Sequence, residues 1–287
     1  MEWTTLEEVE WWVEQITNSQ PGVEFRGPTF LRPYHFAVLA NRVHLQGATR
    51  VIVPETLQGY ASRMRLWQSV GLEPPTRVNE RNPGGRFHPL SPIVSETTAQ
   101  NIANDILAVF RGAGTSDKTT LNAIDTALSE IFSNCFFHAE AGREICGLAC
   151  AQSWPHARLA QVVVADNGIG IRASLGANPT YTERLKTENA AELATELGVT
   201  SKPAPGGTHS GYGLTVARQL MEKHGGSLLL FSGNECFQAT EHDSRARELR
   251  VPWGGTIVAL EWRTDRPFDI GAVYGSWPKD GDDDEFF

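Results

Sequence analysis

The first residues that could do chemistry are Glu130, Asn134 and His138, each four residues from the next. At about 3.6 residues per turn, steps of four place these side chains along one stripe of a helix. The neighbouring face is apolar and would bury the helix through Leu121, Ile124, Leu128, Ile131 and Cys135. A neutral amide oxygen suits a Mg²⁺ ion whose charge phosphate groups already balance, and a carboxylate can polarise an attacking water. Taken alone, the stripe also fits a solvated helix surface.

The second motif, Asp166-Asn-Gly-Ile-Gly-Ile171, directly follows a β-branched apolar run at residues 159–166 that predicts a central strand. A carboxylate at the end of a strand can accept a hydrogen bond from the exocyclic amine of adenine. Gly168 and Gly170 lack a Cβ, so the backbone can turn sharply and approach a flat base closely. A plain Asn-Gly turn is the alternative, but it leaves the second glycine and the flanking isoleucines unexplained.

The third motif is a glycine-rich run that opens a helical pattern near Gly211 to His224. Its candidate phosphate ligands are Gly207, Thr208, His209, Ser210, Gly211, Tyr212, Gly213 and Leu214. Free N–H groups at a helix start attract phosphate, and glycine lets the phosphate oxygens come near. A dinucleotide-binding fingerprint is excluded, because the lead-in at residues 201–210 cannot form a strand. A P-loop is excluded because the sequence contains no GxxxxGK[ST] run.

The order of these motifs resembles the GHKL superfamily of ATP-binding domains. An ExxxNxxxH helix comes first, then a strand ending in DNGIGI, a long variable segment, GYGL at a helix start and a strand beginning with GGT, over about residues 115–263. The superfamily includes histidine kinases, type II topoisomerase ATPase domains, heat-shock chaperone ATPases, mismatch-repair ATPases and anti-sigma serine kinases. In layout the chain is most similar to the stand-alone, anti-sigma-kinase-like members.

The resemblance implies ATP and Mg²⁺ as ligands and a role for each matched residue. Asn134 would hold Mg²⁺, and Glu130 would activate water, as in the members that hydrolyse ATP. The adenine side would be formed by Asp166, Gly168, Gly170, Ile171 and Thr256. Residues 207–214 would receive the phosphates. The segment Arg172–Ser210 would be a lid that closes over the nucleotide.

The predicted elements and the resemblance together indicate an α+β protein. Its ATPase domain would be a two-layer α/β sandwich, the Bergerat fold, with a mixed, mostly antiparallel sheet and helices on one face. The expected division is a small α/β accessory domain at 1–92, the ATP-binding domain at 93–265 and an acidic, disordered tail at 266–287. A strand at Arg50–Glu55 followed by a helix at Tyr60–Val70 weakly resembles STAS-like domains; a generic accessory domain is the alternative.

Composition bounds the class of protein. With 40% hydrophobic and 21% charged residues, the chain is typical of a soluble globular protein, and no apolar run is long enough to span a bilayer. The acidic N-terminus shows no secretion signal, so a cytoplasmic location is expected by elimination. A net charge of −9 disfavours nucleic acid as the main partner. A regulatory protein is the expected partner besides ATP, and a homodimer is compatible with the sequence.

The resemblance does not decide whether the domain hydrolyses ATP, transfers its phosphate to a protein or only binds it. A histidine autokinase is excluded, since the helix expected at 96–111 carries no histidine to accept phosphate. About two dozen residues follow Trp262, too few for the further domain that topoisomerase, mismatch-repair and chaperone types carry. Slow ATP hydrolysis coupled to lid closure and partner regulation is the leading interpretation, favoured by the carboxylate of Glu130. A serine/threonine kinase acting on a STAS-like partner and a non-hydrolysing, nucleotide-dependent switch are the alternatives.

Overall fold

A five-stranded antiparallel sheet forms the centre of the protein. The structure, a computed structural model, describes residues 2–18, 28–47, 50–75, 85–113, 117–138, 144–201 and 212–278. The strands are β1 (Phe87–Ile93), β2 (Gly147–Trp154), β3 (Leu159–Asp166), β4 (Ser227–Thr240) and β5 (Ser244–Arg263). They lie in the order β1-β2-β3-β5-β4, and each neighbouring pair is antiparallel. The sheet expected to be mixed is therefore purely antiparallel over the described residues.

Helices cover both faces of this sheet. In chain order they are α1 (Leu6–Asn18), α2 (Pro33–Gln46), α3 (Glu55–Arg63), α4 (Glu96–Gly112), α5 (Lys118–His138), α6 (Ile171–Gly176), α7 (Ala190–Leu193), α8 (Gly213–Lys223) and α9 (Ile270–Tyr274). The apolar stripes of α4, α5 and α8 pack on one face, as their periodicity predicted, and α1 to α3 pack on the other. None of the helices in these described ranges combines the length and apolar character that a membrane crossing requires.

The central strand β3 is buried along its whole length. Val162 and Val164 belong to the core under α4 and α5, whereas Val163 and Ala165 belong to the core under α1 and α2. This division follows from the alternation of side chains along a strand. β-branched residues suit a strand that is covered on both sides, and the central strand predicted at residues 159–166 is confirmed.

The N-terminal part of the chain differs from the expected α/β unit. Within residues 2–75, the described segments form helices and a short 3-10 turn at Gln68–Val70, with no strand. The strand predicted at Arg50–Glu55 does not form: residues 50–54 have no regular secondary structure and pair with no strand of the sheet, and Glu55 begins α3. The weak resemblance to STAS-like domains, which rested on that strand, finds no support in these helices. The N-terminal helices add a third layer to the two-layer sandwich. The predicted α+β fold class is confirmed.

A buried polar cluster fastens the N-terminal segment to the sheet. Glu261 on β5 is fully buried, and its carboxylate accepts from the Thr4 N–H at 2.6 Å and from Arg32 Nη1 at 3.3 Å. Gln161 Nε2 on β3 donates to Thr4 Oγ1 at 2.9 Å. Burial raises the pKa of Glu261 to about 7, and the Thr4 and Arg32 contacts oppose that rise. The N-terminal helices α1 to α3 share a core with one face of the sheet, and a domain boundary at residue 92 stays a prediction.

The long segment after β3 folds into a small unit at the edge of the sheet, here called the lid unit (residues 171–201). Its own apolar cluster consists of Leu175, Tyr181, Leu193, Ala194 and Val199. Arg172 Nε donates to Oε2 of the buried Glu235 on β4 at 2.8 Å, and the Ala190 N–H donates to the same carboxylate at 2.8 Å. The lid unit is thus attached to β4. Residues 202–210 of the predicted lid lie outside the described residues.

The C-terminal part of the chain is folded further than the sequence indicated. β4 and β5 pair as one long hairpin, joined by a turn at residues 241–243. Beyond β5, Phe268 is buried in the main core, and Asp269 caps α9 by accepting from the Gly271 N–H at 2.8 Å. Residues 266–278, expected to be part of a disordered tail, are therefore folded in the structure. Residues 279–287 lie outside the described part.

Candidate functional site

Asp166, the last residue of β3, places a buried carboxylate at one end of the sheet. Its Oδ1 accepts hydrogen bonds from the backbone N–H of Gly168 at 2.8 Å and of Thr256 at 3.0 Å. Burial raises the pKa of this carboxyl to about 6, although these hydrogen bonds and the Thr256 hydroxyl favour the ionised form. At neutral pH the group is therefore a charged acceptor with a fixed orientation.

The turn that delivers Thr256 to this carboxylate depends on one glycine. Gly255 has a φ of +83°, and a Cβ at this position would lie 2.2 Å from the carbonyl oxygen of Asp166. Only glycine lets the β5 backbone approach the end of β3 so closely. At Gly254, the nearest neighbour of a Cβ would be Leu45 Cδ1, at an ordinary contact distance of 3.8 Å. The second glycine of the Gly-Gly-Thr run thus sets the position of the Thr256 N–H.

Ser232 on β4 joins three segments of the site and was not predicted from the sequence. Its Oγ accepts from the Ile171 N–H at 2.8 Å and donates to the carbonyl of Gly255 at 2.9 Å. Gly170, with a φ of +81°, allows this contact, since a Cβ there would lie 3.1 Å from Ser232 Oγ. The available signal was a hydroxyl that ends the apolar run at residues 228–231.

α5 crosses the same end of β3. Gly147 on β2 is paired with Asp166, and a Cβ at Gly147 would lie 3.5 Å from Cys135 Sγ on α5. Burial, and after it the negative charge of Asp166, raises the pKa of the Cys135 thiol well above its ordinary value. Asn134 is half-buried and directly precedes Cys135 on α5. The predicted metal ligand and the predicted adenine ligand therefore lie on neighbouring elements at one end of the sheet.

One turn earlier on α5, Glu130 contacts the start of α8. A Cβ on Gly213, the first residue of α8, would lie 2.8 Å from Glu130 Oε2 and 2.9 Å from Glu130 Cβ. The close approach of the two helices requires glycine at this position. Leu214 anchors the first turn of α8 against both the main core and the lid cluster.

The structure places part of the predicted phosphate site. Tyr212, Gly213 and Leu214 lie at the start of α8, where the N–H groups and the positive end of the helix dipole are found. The other predicted ligands fall outside the described residues: Gly207, Thr208, His209, Ser210 and Gly211.

The three sequence motifs thus meet at one end of the sheet: the carboxylate after β3, the polar stripe of α5 and the start of α8. A family model, the histidine kinase-like ATPase domain, matches residues 95–227. This segment is a histidine kinase-like ATPase domain of the GHKL superfamily. The resemblance inferred from the motifs is confirmed. No curated protein matches the chain.

The match indicates nucleotide binding by the ATPase domain, and the described residues fit an adenine nucleotide with its metal. Asp166 supplies a buried acceptor, Asn134 supplies a neutral amide oxygen, and the N–H groups at the start of α8, which begins at Gly213, suit phosphate. The matched segment ends before the Gly-Gly-Thr turn, which the structure adds through the contact of Thr256 with Asp166. The individual roles of these residues stay predictions.

Aromatic residues beyond β5 also lie beside the start of α8 in the ATPase domain. The ring of Trp277 is 4.8 Å from that of Tyr212, and Trp277 Nε1 donates to Gln219 Oε1 at 2.8 Å. Burial, and after it the charge of Glu130, raises the pKa of Tyr274. These residues were expected in a disordered tail. Their aromatic character was the signal against it, because disordered segments are poor in aromatic residues.

The lid unit of the ATPase domain contacts α8 as well as β4. Thr215 Oγ1 on α8 donates to the carbonyl of Glu196 at 2.9 Å, and Arg218 Nη1 donates to Thr195 Oγ1 at 3.0 Å. Arg218 is also paired with Glu222 on its own helix, at 2.7 Å. The helix that begins at the candidate phosphate site is therefore in direct contact with the lid unit.

We expect Ser232→Ala to loosen the junction between the adenine wall and the lid unit. The change removes the partner of the Ile171 N–H and of the Gly255 carbonyl, which costs about 1–3 kcal/mol of unfolding free energy. Urea denaturation measures this loss, and a titration should show weaker ATP binding. Ser69→Ala is the control, since among the described residues that buried hydroxyl bonds only the Leu66 carbonyl, at 2.9 Å, in the N-terminal layer. Wild-type ATP affinity in Ser232→Ala would contradict the role given to Ser232.

Proposed function

We propose that this protein binds ATP with Mg²⁺ where β3, α5 and α8 meet, and hydrolyses it slowly, with closure of the lid unit coupled to a regulatory protein partner. One observation carries the proposal. The buried carboxylate of Asp166, fixed by Gly168 and Thr256, lies at the end of the sheet that α5 crosses with an amide and a second carboxylate.

Asp166 has the chemistry to select adenine. An ionised carboxylate only accepts hydrogen bonds, so it favours a base edge that carries an amine over one that carries a carbonyl oxygen. Adenine carries an amine where guanine and hypoxanthine carry an oxygen. The neighbouring backbone is fixed by Ser232 through Ile171 and Gly255, which supports a wall of constant shape beside the base.

Asn134 and the start of α8 suit the polyphosphate. The amide oxygen of Asn134 would hold Mg²⁺, which when bound offsets phosphate charge and polarises the phosphoryl group. The N–H groups at the start of α8 would receive phosphate oxygens. Glu130, half-buried beside Gly213, would accept the proton of the attacking water. The contacts of α8 with the lid unit support a coupling between polyphosphate binding and lid position.

We expect Asp166→Asn to weaken binding of Mg·ATP about tenfold at pH 7.5, because an amide is a poorer acceptor than a carboxylate and about 1.4 kcal/mol corresponds to tenfold in Kd. Binding of Mg·ITP, which carries an oxygen in place of the amine, should change little. Calorimetric titration measures both affinities. Equal binding of ATP and ITP by the wild type, or an unchanged preference in the variant, would show that Asp166 does not bind adenine.

The pKa of Asp166 gives this test a pH dependence and a stability control. Its folded value of about 6 lies above the ordinary 3.8, so the stability it contributes is fully present below pH 3.8 and is lost as pH rises through 6. At pH 7.5, keeping this buried carboxyl ionised lowers the free energy of unfolding by roughly 3 kcal/mol. Asp166→Asn should therefore unfold no more readily than the wild type at pH 7.5. ATP binding by the wild type should weaken as pH falls through about 6, and the variant should lack that component.

A further inference from the structure

α2 lies along β3 on the face of the sheet opposite to α5. Its first turn is fixed near the start of β3, where the Tyr34 N–H donates to Gln161 Oε1 at 3.2 Å. Cys150 Sγ on β2 donates to the carbonyl of Pro33 at 3.3 Å, which holds the same turn. The helix then follows β3 toward Asp166. An N-terminal helix outside the matched ATPase segment therefore reaches the end of the sheet where the candidate site lies.

Asn41 is the residue of α2 that meets the site. It is completely buried, and its Nδ2 donates to the backbone carbonyl of Asp166 at 3.0 Å. Asn41 Oδ1 has no hydrogen-bond partner among the described residues. Within that part of the chain, the side chain of Asn41 is therefore held by the hydrogen bond that its Nδ2 donates to Asp166. One turn later, Leu45 Cδ1 approaches the position of a Cβ on Gly254 to 3.8 Å. The same helix thus touches both segments that form the adenine wall.

The carbonyl that Asn41 holds belongs to the peptide that leaves the strand. That peptide links Asp166 to Asn167, and its rotation would move the backbone that brings the Gly168 N–H to the carboxylate. The same carbonyl oxygen lies 2.2 Å from the place a Cβ on Gly255 would take, so the β5 turn rests directly on it. The hydrogen bond from Asn41 to this oxygen therefore fixes both the orientation of the Asp166 carboxylate and the position of the Gly255 turn.

We propose that Asn41 is a positioning residue of the nucleotide site, through which the N-terminal helices set the affinity and selectivity for adenine. The inference rests on the proposed function of Asp166. Asn41 acts through the Asp166 backbone and touches no ligand. Because coupling between two binding equilibria is reciprocal, a nucleotide that uses Asp166 also strengthens the hold of α2 on the sheet. The N-terminal helices are then a working part of the nucleotide site, and a partner that displaces α2 lowers its affinity for ATP.

The test compares Asn41→Ala with Asn41→Leu, which keeps the volume of the side chain but has no donor. Each variant is expected to bind Mg·ATP about five- to tenfold more weakly, with Mg·ITP affinity nearly unchanged, so the preference for ATP over ITP falls. Val38→Ala, a buried apolar position on the same helix, is the control. It should lower the melting temperature and leave the ATP-to-ITP ratio unchanged. A wild-type ratio in folded Asn41 variants would overturn the proposal.

A second measurement on the wild-type chain does not depend on the folding of any variant. Hydrogen exchange of the α2 amides is followed with and without a non-hydrolysable ATP analogue and Mg²⁺. Slower exchange across residues 38–46 with the analogue is expected, and unchanged exchange would overturn the proposal. The two hypotheses fail differently. If Asp166→Asn keeps the wild-type preference for ATP, the proposed function fails; if it loses that preference while the Asn41 variants keep it, only this inference fails.

Discussion

Glu130→Ala is expected to lower the rate of phosphate release by about 10²–10⁴-fold, the usual contribution of a positioned general base. The affinity for Mg·ATP should stay within about threefold of the wild type, because an interaction made only in the transition state affects turnover and not ground-state binding. The carboxylate sits against Gly213 at the start of α8, next to where the terminal phosphate would lie. Steady-state phosphate release and calorimetric binding of ATP measure the two effects separately.

Two further variants sharpen this test. Glu130→Gln keeps the shape of the side chain against Gly213 and should lose turnover to a similar degree. Ser129→Ala, on the exposed neighbouring face of α5, should retain turnover. Phosphate release that survives Glu130→Ala would place the base elsewhere. Loss of binding together with turnover would make Glu130 a structural contact of α8. If the wild-type protein itself binds ATP and releases no phosphate, a nucleotide-dependent switch is favoured, and transfer of labelled phosphate from ATP to a protein would favour a kinase.

The elements that carry the motifs could be predicted because they bury one clear face or both. α5 shows its apolar stripe at three- and four-residue steps, and β3 shows a continuous β-branched run. β1 and β2 gave weaker signals. β1 contains Pro89 and Pro92, residues that strands tolerate at a sheet edge, where β1 lies. β2 is built largely of small residues, whose strand propensity is low.

The N-terminal segment shows how tertiary context overrides local propensity. The run Val51-Ile-Val53 has a strong strand preference, yet β1 and β4 occupy the sheet edges and the run pairs with neither. α2 was missed because its burial comes from packing on β3, and the polar Asn41 and His35 interrupt its apolar pattern although both are buried.

The candidate site was predictable only where its residues lie within short motifs. Asp166, Glu130 and Gly213 each belong to such a run, so their types and spacing indicate their chemistry. Ser232 and Asn41 are isolated polar residues, and their value comes from hydrogen bonds to residues 61 and 125 positions away. No local pattern encodes such a contact, because the chain topology creates it.

Among single glycine-to-alanine changes in the site, Gly255→Ala is expected to reduce stability and ATP binding the most. At a φ of +83° the new Cβ would lie 2.2 Å from the Asp166 carbonyl oxygen, a backbone atom that cannot rotate away as a side chain would. Left-handed strain and overpacking together cost about 2–5 kcal/mol. The melting temperature should fall by roughly 5–15 °C. ATP binding should be lost in the folded fraction, because the displaced turn withdraws the Thr256 N–H from the carboxylate.

Gly254→Ala, one residue earlier, separates this effect from a general loss of glycine in the turn. A Cβ there would have Leu45 Cδ1 as its nearest neighbour, at 3.8 Å, so the change should alter stability by no more than about 0.5 kcal/mol. Thermal denaturation and ATP titration of the two variants under the same conditions make the comparison. If the two alanines behave alike, the close approach of β5 to Asp166 does not set the geometry of the site. A folded Gly255→Ala that binds ATP normally would mean that adenine is held without the Thr256 contact.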